Sequence, residues 1–229
     1  MLSDTQIDRY SRQIILPEVG GRGQEKLLAS TLVLVESEET SILPAYLAAA
    51  GVGRLVIWRP GSSSARELPA DMSDLNADSA VEIRTEPSSR EACESLIAET
   101  NPIAVVVVDE HVEFAHQMNL ACIATGTPLI WGGTMGATAY LTVFDARVSP
   151  GCRACAVPFF ASDGDSVLRQ LANATLAGQL ASEAIKCALG TGSSLAGRVL
   201  CIDIENATVT STSFQSNPDC IVCGRGRRS

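Results

Sequence analysis

Residues 32–53 read LVLVESEETSILPAYLAAAGVG. The first four residues are apolar, as in a buried strand, and residues 42–53 are typical of a helix that ends at Gly51 or Gly53. A strand that leads directly into a helix usually forms a nucleotide site, where glycines let backbone amides approach the phosphates. In this chain the connection is ESEETS (residues 36–41), which has three carboxylates and no glycine. The stretch therefore predicts a nucleotide-binding fold with an atypical phosphate loop.

Strands and helices are expected to alternate through residue 130. We expect loops at 17–23 and 59–80 and strands at 31–36, 54–58, 81–87, 103–110 and 128–136. Helices are expected at 4–15, with Asp4 as the cap, and at 42–53, 89–100 and 113–126. This order predicts an α/β fold: a Rossmann-like, mostly parallel sheet with helices on both faces. Residues 139–145 alternate like an edge strand, a long helix is expected near 163–189, and a hairpin follows it, so the fold has a C-terminal antiparallel extension.

The composition limits the classes of partner. The chain has 229 residues, a net charge of −9, and no apolar run of the roughly 20 residues that a membrane-spanning helix needs. The negative charge argues against a nucleic-acid surface, and the polar N-terminus has no signal-peptide pattern. We therefore expect a cytoplasmic protein that binds neither nucleic acid nor membrane, organised as one domain over 1–229.

Four of the eight cysteines form two C-x-x-C pairs, Cys152-Arg-Ala-Cys155 and Cys220-Ile-Val-Cys223. Two such pairs can supply four thiolates in the closed tetrahedral geometry of structural zinc. Two unrelated thiol pairs or a redox pair are the alternatives, although a redox pair normally lies at a helix N-terminus after a strand. The prediction is a structural four-cysteine zinc site that connects two distant parts of the chain.

Several segments together resemble a known family: RYSRQIILPEVGGRGQEKL (9–27), LAAAGVGRLVIW (47–58), NLACIATGTPLIWGG (119–133), EAIKCALG (183–190) and the two C-x-x-C pairs. They are similar to the MoeB/ThiF/HesA family, the bacterial relatives of ubiquitin-activating enzymes. The resemblance implies an ATP- and magnesium-dependent enzyme that adenylates the C-terminal glycine of a ubiquitin-like sulfur carrier. It also implies a dimer, with 1–30 as an N-terminal dimerisation segment, 31–138 as the Rossmann-like half and 139–229 as the half that holds the zinc.

The chain departs from the family's pattern at the nucleotide site. The family's glycine-rich loop is replaced by ESEETS, its acidic ribose-binding position falls on Arg59 and Pro60, and no lysine occurs between Lys26 and Lys186. The family's polar loop motif is matched only loosely, at Ser73, Leu75 and Asn76. We therefore expect ATP and magnesium not to bind and no residue of this chain to be catalytic.

One carboxyl and one guanidinium position of the family's site do remain. The magnesium carboxylate of the family falls on Glu110, which is either a residual magnesium position or simply the end of a strand. Arg12 matches the arginine that family members contribute in trans to a partner's ATP site, and it can equally be retained for packing. No cysteine lies between Cys155 and Cys187, so thioester transfer is not expected.

Three hypotheses follow. The first is a catalytically degenerate, non-adenylating partner subunit, in a homodimer or in a heterodimer with an intact MoeB/ThiF-like subunit, that supports the active member or binds a sulfur carrier ending in Gly-Gly. The second is an active adenylyltransferase of a ubiquitin-like or sulfur-carrier C-terminus with a rebuilt ATP site. The third is a binding module that captures a carrier's C-terminal tail by adding it beside the sheet and catalyses no reaction.

Overall fold

The computed structural model describes residues 1–35, 42–60, 75–86, 89–108, 112–148, 151–156, 166–192 and 195–224. Its centre is a single sheet of eight strands in the order β3-β2-β1-β4-β5-β6-β7-β8. The strands are β1 Thr31–Val35, β2 Arg54–Pro60, β3 Ala80–Glu86, β4 Ala104–Val108, β5 Leu129–Met135, β6 Thr138–Phe144, β7 Arg198–Asp203 and β8 Thr208–Ser213. Strands β1 to β5 pair in parallel, and β6, β7 and β8 continue the sheet antiparallel. The predicted fold class is confirmed.

Strand β1 shows why the central strands are apolar at every position. Leu32 and Leu34 belong to the core on one face of the sheet, and Val33 and Val35 to the core on the other face. Successive side chains of a strand point to opposite faces, so a strand covered by helices on both faces has no polar positions. Burial on both sides therefore explains the uninterrupted apolar run at residues 32–35.

Helices cover both faces of the sheet. They are α1 Asp4–Arg9, α2 Ser11–Ile14, α3 Gly20–Ala29, α4 Leu43–Ala50, α5 Arg90–Thr100, α6 Val112–Thr125, α7 Arg153–Ala156 and α8 Arg169–Leu189. One core contains side chains of α4 and α8, and the other contains side chains of α5 and α6. Of the helices in these ranges, none has both the length and the apolar content needed to cross a membrane.

Helix α4 ends as the sequence suggested, at Gly51, which has a left-handed backbone with φ of 88°. A side chain at this position would also collide, because an added Cβ would lie 2.4 Å from Gln24 Nε2 and 2.8 Å from the Tyr10 ring. Pro44 lies in the first turn, where a missing amide costs nothing. Glycine thus both ends the helix and makes room for two side chains of the N-terminal segment.

The N-terminal segment differs from the predicted single helix over 4–15 capped by Asp4. It forms α1 and α2, and the cap is Ser3, whose hydroxyl accepts the Gln6 amide while the Gln6 side chain accepts the Ser3 amide. Residues 17–23 were expected to form a loop, but α3 already begins at Gly20. Gly23 packs closely against Leu189 of α8, so tertiary packing outweighs the poor helix propensity of three glycines.

The prediction that 139–145 is an edge strand is wrong. Strand β6 lies between β5 and β7, and residues 139–144 are buried. The misleading polar position is Thr142, which is fully buried and donates its hydroxyl to the Leu195 carbonyl over 3.5 Å. The edge at this end of the sheet is instead β8, all of whose residues are exposed. The predicted hairpin is confirmed as the β7–β8 pair.

Other element bounds differ by a few residues. Strand β2 extends to Pro60 and β3 begins at Ala80, so the expected loop at 59–80 is shorter at both ends, while residues 61–74 lie outside the described ranges. The long helix is described from Arg169 rather than from 163, and residues 157–165 are also outside.

Candidate metal centre and nucleotide crevice

The nucleotide crevice predicted by the fold lies at the C-terminal ends of β1 and β4. These two strands are neighbours in the sheet. The strand that follows β1 lies toward one edge of the sheet, and the strand that follows β4 lies toward the other edge. Open parallel sheets bind ligands at such a switch point. The strands end at Val35 and Val108. The residues that follow them, 36–41 and 109–111, fall outside the described part of the chain. The expectations for ESEETS and for Glu110 therefore remain predictions.

The structure describes only part of two further segments that were expected to line this crevice. Arg59 and Pro60 are in the backbone of β2, and their side chains are not among those described. Ser73 lies outside the described ranges, but Asn76 is placed and almost fully buried. Its amide nitrogen donates to the Tyr10 hydroxyl over 2.9 Å and to the Ala48 carbonyl over 2.6 Å. Asn76 therefore joins the N-terminal segment to α4.

The RYSRQ segment is held by one carboxylate. Asp78 accepts hydrogen bonds from Gln6 Nε2 and from the Tyr10 hydroxyl, both over 3.1 Å, and forms an ion pair with Arg9 Nε at 3.2 Å. The Tyr10 ring is buried, and burial raises the pKa of its hydroxyl. The sequence motif contains Tyr10, but it predicts no role for Tyr10 or Asp78, because no local signal links residues so far apart in the chain.

Arg12 lies on α2, two residues beyond this anchor, and it is exposed. The guanidinium is thus presented at the surface by a helix whose preceding residues are fixed to the body of the protein. Glu110, the other position that remains from the family's site, lies outside the described residues, so the structure does not relate it to Arg12.

The four predicted cysteines converge. Cys152, Cys155, Cys220 and Cys223 place their sulfurs within 4.8 Å of one another. The Sγ–Sγ distances are 3.9 Å for Cys152–Cys155, 3.7 Å for Cys152–Cys220 and 3.6 Å for Cys155–Cys223. Four sulfurs at the usual zinc–sulfur distance of about 2.3 Å form a tetrahedron with edges of about 3.8 Å. The sulfurs therefore have the spacing that a tetrahedral metal ion requires, and they could hold one.

The pKa values of these thiols differ within the cluster. Burial alone would raise the pKa of Cys220, but hydrogen bonds from the backbone amides of Cys223 and Val222 lower this pKa to about 7. The Val222 amide lies 3.4 Å from Cys220 Sγ. Burial raises the pKa of the Cys152 thiol to about 12, so a metal ion must displace its proton. Amides directed at a sulfur stabilise the thiolate, which is the form that binds metal.

The remaining cysteines take no part in this cluster. Cys93 and Cys122 are buried, whereas Cys187 and Cys201 are only partly buried. A site with four cysteine ligands has every position filled by protein, so its chemical role is to hold two segments of chain together rather than to activate a substrate.

Comparison with known proteins agrees with the motifs. The profile of the ThiF family matches residues 63–222. The chain belongs to the ThiF family. Among curated proteins, the SAMP-activating enzyme E1 of Haloferax volcanii is 33% identical over 259 residues, covering 98% of this chain and 92% of that protein. The sulfur carrier protein adenylyltransferase of Thermus thermophilus is 29% identical over 250 residues, covering 96% and 91%.

Solved structures support the same fold. MccB from E. coli, in a crystal structure with ATP, superposes with a TM-score of 0.73, covering 95% of this chain and 74% of that chain. The sequence identity is only 17%, so this likeness shows the fold alone. The predicted family membership is confirmed, and the two relatives given above are named a SAMP-activating enzyme and a sulfur carrier protein adenylyltransferase.

Proposed function

We propose that this protein acts in the activation of the C-terminus of a ubiquitin-like or sulfur-carrier protein. The observation that carries the proposal is the similarity to a SAMP-activating enzyme and to a sulfur carrier protein adenylyltransferase over more than nine-tenths of each chain. Alignments of this extent include the Rossmann-like half, the C-terminal antiparallel strands and the cysteine cluster. The carrier protein ending in Gly-Gly is accordingly the proposed partner.

Within that pathway we propose the role of a non-adenylating partner subunit. The support comes from the sequence: ESEETS replaces a glycine-rich loop, and no lysine lies between Lys26 and Lys186. Three carboxylates next to a triphosphate would each add repulsion on the order of 1 kcal/mol or more in a partly desolvated site. A chain with this loop fits the supporting half of a dimer better than the half that binds ATP.

Arg12 is the residue proposed to serve the partner. It is exposed on α2, and the hydrogen bonds of Tyr10, Arg9 and Gln6 to Asp78 fix the start of that helical segment. A guanidinium has the planar fork of donors that suits phosphate oxygens. We propose that residues 1–30 contribute to a homodimer or a heterodimer with an intact family member and direct Arg12 into its ATP site.

The second candidate is an active adenylyltransferase, and a specific observation favours it. The similar proteins are named as activating or adenylating enzymes, and they align with this chain over nearly its full length. In this alternative the ATP site would be rebuilt without the family's lysine, and Glu110 would hold magnesium. The two candidates make opposite predictions for nucleotide binding.

We further propose that the four-cysteine cluster holds zinc in a structural role. The support is the sulfur spacing and the thiolate-stabilising amides at Cys220. When bound, the ion would join residues 152–155 to residues 220–223. Metal analysis of the purified protein should find about one zinc per chain, and much less than one would remove this assignment.

Isothermal titration with Mg-ATP separates the two candidates. A non-adenylating subunit shows no binding, whereas sub-millimolar affinity would establish the active alternative. The same preparation is then mixed with a carrier protein ending in Gly-Gly and assayed for carrier-dependent exchange of pyrophosphate into ATP. If exchange appears only with an intact family member, Arg12→Ala in this chain should reduce it. Arg90→Ala, at an exposed arginine of α5 outside residues 1–30, should not. Equal activity of wild type and Arg12→Ala contradicts the role of Arg12.

A further inference from the structure

The two halves of the cysteine cluster are attached to the protein in different ways. We name Gly151–Ala156 the first knuckle and residues 215–224 the second knuckle. Only four residues of the first knuckle, α7, are helical, and a single helical turn has no stability of its own. Contacts with the body of the protein must therefore hold it in place.

Arg153 supplies those contacts. Its backbone amide donates to Asn119 Oδ1 of α6 over 3.3 Å, and its guanidinium lies 5.0 Å from the centroid of the Trp131 ring of β5. Asn119 and Trp131 are almost fully buried, so both partners are rigid. A cation over an indole face is attracted to the ring electrostatically, and more strongly where the contact is desolvated. Arg153 thus connects the first knuckle to a helix and to a central strand.

Burial secures the first knuckle as well. Cys152 and Ala156 are fully buried, and Ala156 belongs to the same hydrophobic core as Trp131. Gly151 approaches the Phe214 ring so closely that an added Cβ would lie 2.9 Å from it. Phe214 packs in turn against Phe144, with ring centroids 5.9 Å apart. None of these contacts involves a metal ligand atom.

The second knuckle has no comparable attachment among the described residues. Its hydrogen bonds are internal: Cys220 amide to Asn217 carbonyl at 3.0 Å, Asp219 amide to Asn217 Oδ1 at 2.9 Å, and Gly224 amide to Cys220 carbonyl at 2.9 Å. Its polar contacts with the rest of the described chain run through the four cysteine sulfurs, for example the pairs Cys152–Cys220 and Cys155–Cys223. Cysteine sulfurs form only weak hydrogen bonds, so without metal little holds the knuckle there.

We propose that the first knuckle is a preformed half-site, positioned by Asn119 and Arg153, and that the metal ion recruits the second knuckle to it. Asn119 and Arg153 are positioning residues, since they act on the backbone that carries the cysteines and not on the metal. The inference rests on the zinc assignment and is independent of whether the chain adenylates a carrier.

Hydrogen exchange on the full chain tests the asymmetry. The protein is compared as purified, after removal of metal with a chelator, and after zinc alone is added back. Amides of 215–224 should exchange at least tenfold faster without metal and recover with zinc, while those of 151–156 change little. Equal loss of protection in both knuckles, or loss in neither, overturns the proposal. If the protein as purified contains no zinc and takes up none, the zinc assignment fails first and this inference with it.

A substitution tests the positioning role. Asn119→Ala should weaken zinc binding roughly 10- to 100-fold in a chelator competition, the usual effect of losing a group that orients a metal ligand. Asn173→Ala is the matched control, because Asn173 is also buried and accepts a hydrogen bond at 2.6 Å from Thr134, a residue of neither knuckle. Unchanged zinc affinity in Asn119→Ala, or an equal loss in Asn173→Ala, contradicts the proposal. The exchange experiment on the wild type stands whether or not either variant folds.

Discussion

The Tyr10 hydroxyl donates to Asp78 Oδ2 over 3.1 Å, which joins two residues 68 positions apart. It also accepts the Asn76 amide nitrogen at 2.9 Å, so a single oxygen links α1 and α2 to the segment before β3. Through this oxygen the exposed Arg12 is connected to the body of the protein.

Tyr10→Phe removes that oxygen and leaves a buried amide and a carboxylate each without one partner. We expect a loss of about 1–3 kcal/mol in the free energy of unfolding, measured by urea denaturation. Limited proteolysis should also cut within residues 1–16 more readily. Tyr46→Phe is the control, because the Tyr46 side chain is 43% exposed, and its stability should remain within about 0.5 kcal/mol of wild type. A Tyr10→Phe protein as stable as the control would contradict the anchoring role.

Alanine substitutions at two glycines, one at the end of α4 and one in α3, should change the stability of the protein in opposite directions. Gly51→Ala forces a left-handed residue to carry a Cβ that meets Gln24 and Tyr10, and we expect a loss of more than about 2 kcal/mol. An added Cβ at Gly21 meets no atom within 4 Å, and Gly21→Ala in α3 should gain about 0.5 kcal/mol. Thermal unfolding of both variants measures the difference. Similar effects of the two substitutions would show that the close approach at Gly51 is not present.

The Asp145 carboxylate gives a pH-dependent contribution to stability. Hydrogen bonds from the Arg147 side chain, at 2.8 and 2.9 Å, lower the pKa of Asp145 despite its burial. A carboxyl group whose folded pKa lies below its unfolded value of about 3.9 stabilises the protein above that value. The stabilisation is lost as the pH falls through the folded pKa.

Asp145→Asn should therefore cost about 1 kcal/mol at pH 7 and less as the pH falls below about 4, where the two proteins converge. Urea denaturation at a series of pH values measures the gap. Asp8→Asn, at an exposed position of α1, serves as the control and should show no such convergence. A gap for Asp145→Asn that stays constant with pH would argue against an ionised Asp145 in the folded state.

The buried thiols should be chemically inert. Burial raises the pKa of Cys93 to about 12 and raises that of Cys122 as well, and neither side chain is more than 4% exposed. Because the thiolate is the reactive form, iodoacetamide at about pH 8 should label both at least tenfold more slowly than the partly exposed Cys201. Peptide mass spectrometry of native and urea-unfolded samples measures this difference. Rapid native labelling of Cys93 would contradict its burial on the core-facing side of α5.

The fold could be predicted from the sequence where a signal is local. The apolar runs of β1 and β4, the glycine after α4 and the two C-x-x-C pairs each indicate their role within a few residues, and all agree with the structure. Strand β6 was misassigned because the partner of Thr142, the Leu195 carbonyl, lies 53 positions away. A polar residue satisfied by a distant carbonyl is indistinguishable in sequence from a residue that faces water.

The residues of the candidate site were likewise predictable only where the sequence signal is local. The four cysteines were identified by spacing, whereas Asn119, Arg153 and Asp78 were not, because each acts through a partner distant in the sequence. An isolated asparagine or aspartate has no periodicity or motif to mark it. The expectations for ESEETS and Glu110 stay predictions, because residues 36–41 and 109–111 are outside the described ranges.

The two edges of the sheet differ in a way that matters for handling the protein. Strand β3 carries Glu82 and Arg84, charged side chains that discourage strand addition, whereas β8 has the sequence TVTSTS, with no charge and no proline. Natural proteins usually guard an edge of this kind, and an unguarded one promotes precipitation at high concentration. A search for a more soluble variant would begin with Val209→Lys, because Val209 is 66% exposed near the start of β8.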